Sequence, residues 1–465
     1  MATLWCFKKK LNVHQAKEFK EYQCVNVGIF ETKPRKSFFE PLSPTQQLYE
    51  SLRYVYTGQD DFFQGGRELV HLNGGSEALM RHFRNQGMTG LFGFNHSFIQ
   101  RCTTCSTGTI TSGVNRGTVG SYTCYGESNV PIFRCPLCSS RYSARHATAL
   151  WDVRINEKDY CRIAKALAEG VGIRTTARIF DVDKDTVCRC AFRAGIQCQF
   201  VDSILMHHLH LEECQLDEMW SFVYKKQHHL ELFEQLHNDI GDIWLHVAFE
   251  PRMKVFVAVV PGKRTLENLR KLTQEVHCKS DGHVPLFTTD EYPSYLDALL
   301  WEYGQLARVN REGLVGRPSE YAYLIPNHAL KYAKVKKTRK DGRIESVETE
   351  VSISTERKVQ QILNQSSCSS TINTSFVERS HLHERLNNRR LTRKTLGFSK
   401  ALYMYEAQTW LSMGYYHFVR PHASLAILSD DGTHLIKRTP AMTAGATDHI
   451  WSIKELLTFP NCYHS

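Results

Sequence analysis

Gln215-Leu-Asp-Glu-Met-Trp-Ser-Phe-Val223 is the stretch whose reading decides the fold. It is aromatic and β-branched, as a strand requires, yet it holds a carboxylate, Asp217, inside the apolar run. Asp242-Ile-Trp-Leu-His-Val-Ala-Phe249 and Val255-Phe-Val-Ala-Val-Val260 repeat the pattern, which predicts three strands in succession. Thr265–Cys278 then carries Leu266, Leu269, Leu272 and Val276 at helical spacing. Pro285-Leu-Phe-Thr-Thr-Asp290 is a short apolar strand ending in a second carboxylate, and a second helix is expected over Tyr295–Tyr303. An Asp that interrupts an apolar strand is costly unless a cation partners it.

The order β-β-β-α-β-α matches an α/β, RNase H-like mixed-sheet core. In that arrangement the first and fourth strands are neighbours, so Asp217 and Asp290 can share divalent metal ions. Glu218 and Glu291 each follow one of these Asp residues directly, and strand alternation is expected to point them to the opposite face.

Upstream, Cys102-Thr-Thr-Cys105 and Cys135-Pro-Leu-Cys138 are two C-x2-C pairs separated by 29 residues. Two such knuckles close a tetrahedral four-cysteine site for one structural Zn2+. Two unrelated cysteine pairs are the plainer alternative, and Cys124 between them reads as a bystander. Next, Tyr160, Ile163, Ala164 and Leu167 recur at helical spacing, and Ile173–Phe180 reads as a second helix packing through Thr175–Ile179. Asp181-Val-Asp183 reads as a turn and N-cap before a third helix carrying Arg189 and Arg193. That is the pattern of a helix-turn-helix reading the DNA major groove, an ordinary three-helix bundle being the alternative. The expected organisation is an N-terminal accessory region of unknown role over 1–95, a zinc ribbon over 96–150, a helix-turn-helix over 151–205 and the catalytic core over 206–465.

Composition excludes more than it selects. The 465 residues carry 58 Lys+Arg against 48 Asp+Glu, a net charge of +10, with hydrophobic residues at 42%. This is globular composition, with no apolar run of membrane-spanning length and no secretory leader pattern at the start. Fifteen cysteines are too sparse for a disulfide scaffold and suit a reducing compartment. The informative charge lies in two windows. Residues 331–343 hold seven Lys/Arg, Lys336, Lys337, Arg339 and Lys340 among them, and end on an Asp341-Gly342 hairpin signal. Ile344–Ile353 then alternates like the returning strand, so a basic β-hairpin is expected around 331–355. Residues 379–400 also hold seven, including Arg379, Arg385, Arg389, Arg393 and Lys394, against Glu384 alone, which reads as a solvated helix residue. Either run taken alone is as readily a solvated face as a contact for DNA phosphates. Tyr415 and Phe418 read as core of a C-terminal helix, with Arg420 and His422 as candidates to approach the active site.

Gln215-Leu-Asp-Glu-Met-Trp-Ser-Phe-Val-Tyr-Lys-Lys226, Thr288-Thr-Asp-Glu-Tyr-Pro-Ser-Tyr295 and Asn373-Thr-Ser-Phe-Val-Glu-Arg379 resemble the DDE transposases of insertion sequences. The likeness is to the InsB-type catalytic region behind an InsA-like zinc ribbon and helix-turn-helix. It continues through Arg390–Lys400, Tyr415–Leu425 and Arg438–Met442, covering roughly residues 100–455. The resemblance implies a metal-binding and catalytic triad of Asp217, Asp290 and Glu378. Hard carboxylate oxygens suit Mg2+ or Mn2+, and two ions would serve phosphodiester hydrolysis at a transposon end followed by strand transfer into target DNA. The implied partners are double-stranded DNA, as transposon ends and target, and further copies of the chain in a homodimer or larger synaptic assembly. No membrane is involved. The expected location is the cytoplasm or nucleoid of a prokaryote, or a eukaryotic nucleus. A domesticated or inactive transposase acting as a sequence-specific DNA-binding protein is the first alternative, and an RNase H-type nuclease acting on hybrids is the second.

Overall fold

The computed structural model describes residues 120–126, 130–134, 141–145, 148–151, 153–307, 323–341, 343–429 and 431–459. The region 1–95 and the ribbon cysteines Cys102, Cys105, Cys135 and Cys138 lie outside the described residues. The first described element is a small antiparallel sheet of β1 (Gly120–Tyr125), β2 (Val130–Arg134) and β3 (Arg141–Ser143). Cys124 on β1 is an exposed free thiol.

Three helices follow: α1 (Glu157–Ala168), α2 (Ile173–Ile179) and α3 (Lys184–Leu205). Asn156 caps α1 by accepting the Asp159 N–H, and Asp183 caps α3 by accepting the Asp185 N–H at 2.7 Å. Two details depart from the sequence reading. Ile179, expected on the packing face of α2, is 59% exposed, and Thr176 is the residue α2 buries. Helix α3 also runs on to Leu205, because its second half packs on a distant helix, α8 (Leu402–Gly414).

The central sheet is built from β4 (Glu213–Val223), β5 (Gly241–Glu250), β6 (Val255–Gly262), β7 (Leu286–Thr289), β10 (Lys331–Lys340) and β11 (Arg343–Ile353). The short pair β8 (Gly304–Ala307) and β9 (Tyr323–Pro326) stands apart from it. The six strands lie in the order β11-β10-β7-β4-β5-β6. β5 is antiparallel to both β4 and β6, β7 runs parallel to β4, and β10 runs parallel to β7. The expected basic hairpin is present as β10 and β11, but it is no separate appendage. Its base, Lys331–Lys334, pairs with Leu286–Thr289 and extends the sheet, while the rest projects beyond β7.

Helices cover both faces. On one lie α4 (Leu266–Lys279), capped by Thr265, and α5 (Ser294–Tyr303). On the other, α7 (Ser375–Asn387) and α8 place Val377, Tyr405 and Met413 over Met219, Ile243, Leu245 and Val247. The intervening α6 (Glu356–Gln365) buries Val359 and Leu363 against Leu286. The chain is thus a mixed α/β protein with a six-stranded mixed sheet flanked by helices. Among the described residues, no helix is long and apolar enough to cross a membrane.

One apolar core runs from Tyr160, Ile163 and Leu167 through Ala194 and Cys198 into Leu216, Phe287 and Tyr295. Tyr415 and Phe418 belong to it, 6% and 0% exposed, as the sequence suggests. The junction between α3 and α8 is made of small residues. A Cβ at Gly195 would lie 2.1 Å from the Ala407 carbonyl oxygen, and one at Gly414 would lie 2.7 Å from Cys198. Gly195→Ala should therefore lower stability by about 1–3 kcal/mol through overpacking, although Ala is the better helix former. Thermal unfolding followed by circular dichroism checks this, and an unchanged or raised melting temperature would refute the close crossing.

Candidate metal centre

The site forms just past the point where β7 ends and its pairing with β4 stops, while β4 continues beside β5. Their parallel register pairs Glu213 with Leu286, Cys214 with Phe287 and Gln215 with Thr288. Two residues further along that register stand Asp217 and Asp290. Oxygens of Asp217, Asp290 and Glu218 lie within 4.8 Å of one another, the sole such cluster of potential ligands among the described residues.

Glu218 corrects the sequence reading. Its side chain does leave β4 on the face opposite Asp217, toward α4 and α5, where Tyr295 donates to Oε2 at 2.5 Å and the Arg264 Nε donates to Oε1 at 2.5 Å. Glu218, midway along β4, nonetheless brings an oxygen to the shared mouth, so direction alone did not exclude it. Glu291 stays outside, exposed and 4.0 Å from Lys336.

Glu378, the expected third ligand, sits on the first turn of α7 and near Asp217, but it is not in the three-carboxylate cluster. Its Oε1 accepts hydrogen bonds from Lys337 of β10 and from the Thr374 hydroxyl, the latter at 2.6 Å. One helical turn on, His381 brings Nδ1 to 3.4 Å from Asp217 Oδ2, and its buried Nε2 has no hydrogen-bond partner among the described residues. Residues 378 and 381 stand three apart on one face of α7, and that spacing is the pattern that could have flagged His381.

The electrostatics follow from burial and like charge. Burial pushes the Asp217 carboxyl up to about 7, and the charges of Glu218, Asp290 and Glu378 add to the rise against the bond from the Glu218 N–H. Burial also raises Glu218, despite its bonds from Tyr295 and Arg264. Burial pushes Glu378 the same way, but Lys337 and Thr374 prevail and hold it below the usual carboxylate range. Burial and Arg385 push His381 down to about 4, so it is neutral at pH 7. Three hard-oxygen donors converging in a half-buried mouth, two of them raised by burial and neighbouring charge, are a donor set that a divalent cation fits.

The basic residues divide by what they touch. Arg189, Lys336, Lys340, Arg379, Arg389, Arg393 and Lys394 are exposed, with Arg189 bonded to Thr186 and Lys340 3.9 Å from Glu345. Arg339 pairs its backbone with Ile344, and its side chain lies outside the description. Arg193 is committed to the Trp151 carbonyl, and Arg385 to the carbonyls of Leu391 at 3.0 Å and Trp220 at 3.3 Å. These two guanidiniums hold the chain together and are not presented to solvent like the others. Arg420 bonds Asn387 at 3.2 Å and lies 3.8 Å from Glu169, away from the carboxylate cluster. His422 has Lys254, Arg379 and Arg420 for charged neighbours.

Comparison with known protein families and with curated proteins finds no match to this chain.

Glu384 is the clearest reversal. Expected in solvent, it is 0% exposed, its Oε1 accepts from Ser412 at 3.4 Å, and its Oε2 has no partner among the described residues. Burial pushes it up to about 8. In the unfolded chain a glutamate ionises near pH 4.3, so between about pH 4 and 8 the folded state holds the extra proton. Its contribution is then full below about pH 4, lost progressively as pH rises to about 8, and flat above that. Glu384→Gln should flatten this dependence and stabilise the protein most at pH 9, as urea unfolding at pH 5 and pH 9 will measure. An equal effect at both values would show that Glu384 ionises freely in the fold.

Proposed function

We propose that the protein is a DNA transposase of the DDE type, with an RNase H-like catalytic core that carries out divalent-metal-dependent phosphodiester hydrolysis and strand transfer. The observation that carries the reading is the convergence of Asp217 and Asp290 from adjacent parallel strands, within 4.8 Å of each other and of Glu218. The strand order supports it, since the first and fourth strands of the β-β-β-α-β-α unit are neighbours. The motif resemblance set out above supplies the family.

Asp217, Asp290 and Glu218 would hold Mg2+ or Mn2+, with Glu378 at the rim as the further carboxylate for a second ion. Bound ions would activate an attacking oxygen and stabilise the leaving one. Tyr295 and Arg264 fix the Glu218 carboxylate from behind, and neutral His381 lies against Asp217 without adding charge. Lys336, on the hairpin strand beside β7, would meet phosphate oxygens next to the cluster, and Lys337 would join it on leaving Glu378. The first cut would free a 3′-OH, which then attacks target DNA, with no covalent protein–DNA intermediate. The ribbon and the three-helix unit would bind the element's ends, and synapsis of two ends calls for at least two copies of the chain.

One observation favours the second reading, a DNA-binding protein that no longer cuts. Lys337 already neutralises Glu378, leaving the expected triad incomplete. Duplexes carrying the element's terminal repeats, incubated with Mg2+ or Mn2+, separate the two. Cleavage by the wild type, reduced about 10²–10³-fold or more by Asp217→Asn and by Asp290→Asn, is the expected result. Tight binding with no nicking under any divalent ion would establish the second reading instead, and cleavage that survives both substitutions would remove the assigned site. Preferential cutting of an RNA–DNA hybrid would point to the hybrid nuclease.

The ribbon has its own test. Metal analysis of the purified chain should find one tightly held zinc, lost in Cys102→Ser and Cys135→Ser. Zinc content unchanged by both would assign those cysteines no ligand role.

A further inference from the structure

The face of the sheet that carries Glu218 continues away from the cluster as a strip of rings and cations. Trp220 follows Glu218 by two residues on β4, so both leave the strand on one face. Trp244 stands directly opposite Trp220 in the β4–β5 register. Both indoles are half-buried, and neither N–H has a hydrogen-bond partner among the described residues. Tyr292, half-buried and two residues past Asp290, adds a third ring. Arg264 joins the rings to the cluster: its Nε donates to Glu218, while its guanidinium carbon lies 4.0 Å from the Tyr292 ring centre and 4.9 Å from that of Trp244. At the far end Lys226 places Nζ 6.0 Å from the Trp220 ring centre.

A tryptophan kept only for packing has covered faces and usually a bonded N–H. These two are only half-buried, their N–H groups are unbonded among the described residues, and they lie between cations next to the carboxylates. Rings interleaved with Arg and Lys suit single-stranded nucleic acid, because every base has a face to stack and every linkage a charge to neutralise. A duplex keeps its bases stacked on one another and offers none to the strip. Resting on the phosphoryl-transfer reading above, we propose that Trp220, Trp244 and Tyr292 seat unpaired nucleobases of a DNA strand whose phosphate lies at the carboxylate cluster.

The strip would then hold the strand locally melted beside the scissile linkage. Arg264 gives this seat a direct link to the site, since a base stacked near it shares the guanidinium that positions Glu218.

The test uses the full chain in Ca2+ and fluorescence anisotropy with two probes, a labelled oligothymidylate and a mixed-sequence duplex of the same length. The wild type is expected to bind both. Trp220→Ala and Trp244→Ala should each weaken oligothymidylate binding about 5- to 100-fold and change duplex binding less than about twofold. Trp244→Phe, which keeps a ring and guards against a folding defect, should recover most of the single-strand affinity. Equal weakening for both probes, unchanged single-strand binding in a folded variant, or no single-strand binding by the wild type would each overturn the proposal. Cleavage is scored separately: ring-dependent binding without any cutting keeps the seat and rejects the transposase reading, whereas cutting without ring dependence does the reverse.

Discussion

The parallel pairing of β4 with β7 is the constraint on which the rest depends. Three register pairs, from Glu213–Leu286 to Gln215–Thr288, set two strands of distant origin side by side. They also decide that Asp217 and Asp290 come level where the pairing ends. A parallel pair cannot be closed by a tight turn, so the chain between them must travel through β5, β6 and α4 before returning. On the face of the sheet that carries Asp217, α7 supplies the cover, with His381 3.4 Å away, and burial there raises the Asp217 carboxyl. The same geometry that concentrates the carboxylates therefore creates the need for a cation among them.

The far side of the site is set by α7, and α7 is set by the small-residue crossing of α3 and α8. Gly195 against Ala407 and Cys198 against Gly414 let two backbones approach closely. Beyond the crossing, Asp202 is buried with Lys279 of α4 and lies 3.7 Å from His417, whose Nε2 accepts the Phe256 N–H at 3.1 Å. That bond fixes the His417 tautomer with its proton on Nδ1, facing Asp202. A buried ionic group of this kind adds little net stability but penalises any other alignment of the three elements. The three-helix unit is in this way joined to the sheet by packing and by charge.

The strands and the two aspartates were legible in the sequence because alternation and an interrupted apolar run are local signals. Asp183 as the cap of α3 and the hairpin that pairs Lys340 with Arg343 were legible for the same reason. What was not legible depends on elements remote in the chain. Alternation gives the side of the sheet that Glu218 leaves from, but its reach into the shared mouth depends on where β7 ends and on Tyr295 and Arg264 behind it. Glu384 looks solvated in a run of Arg and Asn, and only the covering by α8 buries it. Arg193 and Arg385 look like phosphate contacts until the carbonyls they satisfy are in place. The resemblance supplied Glu378 as a third ligand, and Lys337, seen only as part of a basic run, holds that carboxylate apart.

Cations around the site are arranged with some economy of number. Glu218 has Arg264, Glu378 has Lys337, and Asp217 has only a neutral imidazole at 3.4 Å. The two paired carboxylates lie at opposite edges of the mouth, one toward α4 and α5 and the other on α7. Asp217 and Asp290, between them, have no Lys or Arg within ion-pair reach among the described residues. Protein cations thus satisfy the rim and leave the centre negative. An unpaired, half-buried Asp217 inside β4 beside Asp290 just past β7 is what supports the proposed cation, and the basic strand β10 alongside is what supports an anionic partner.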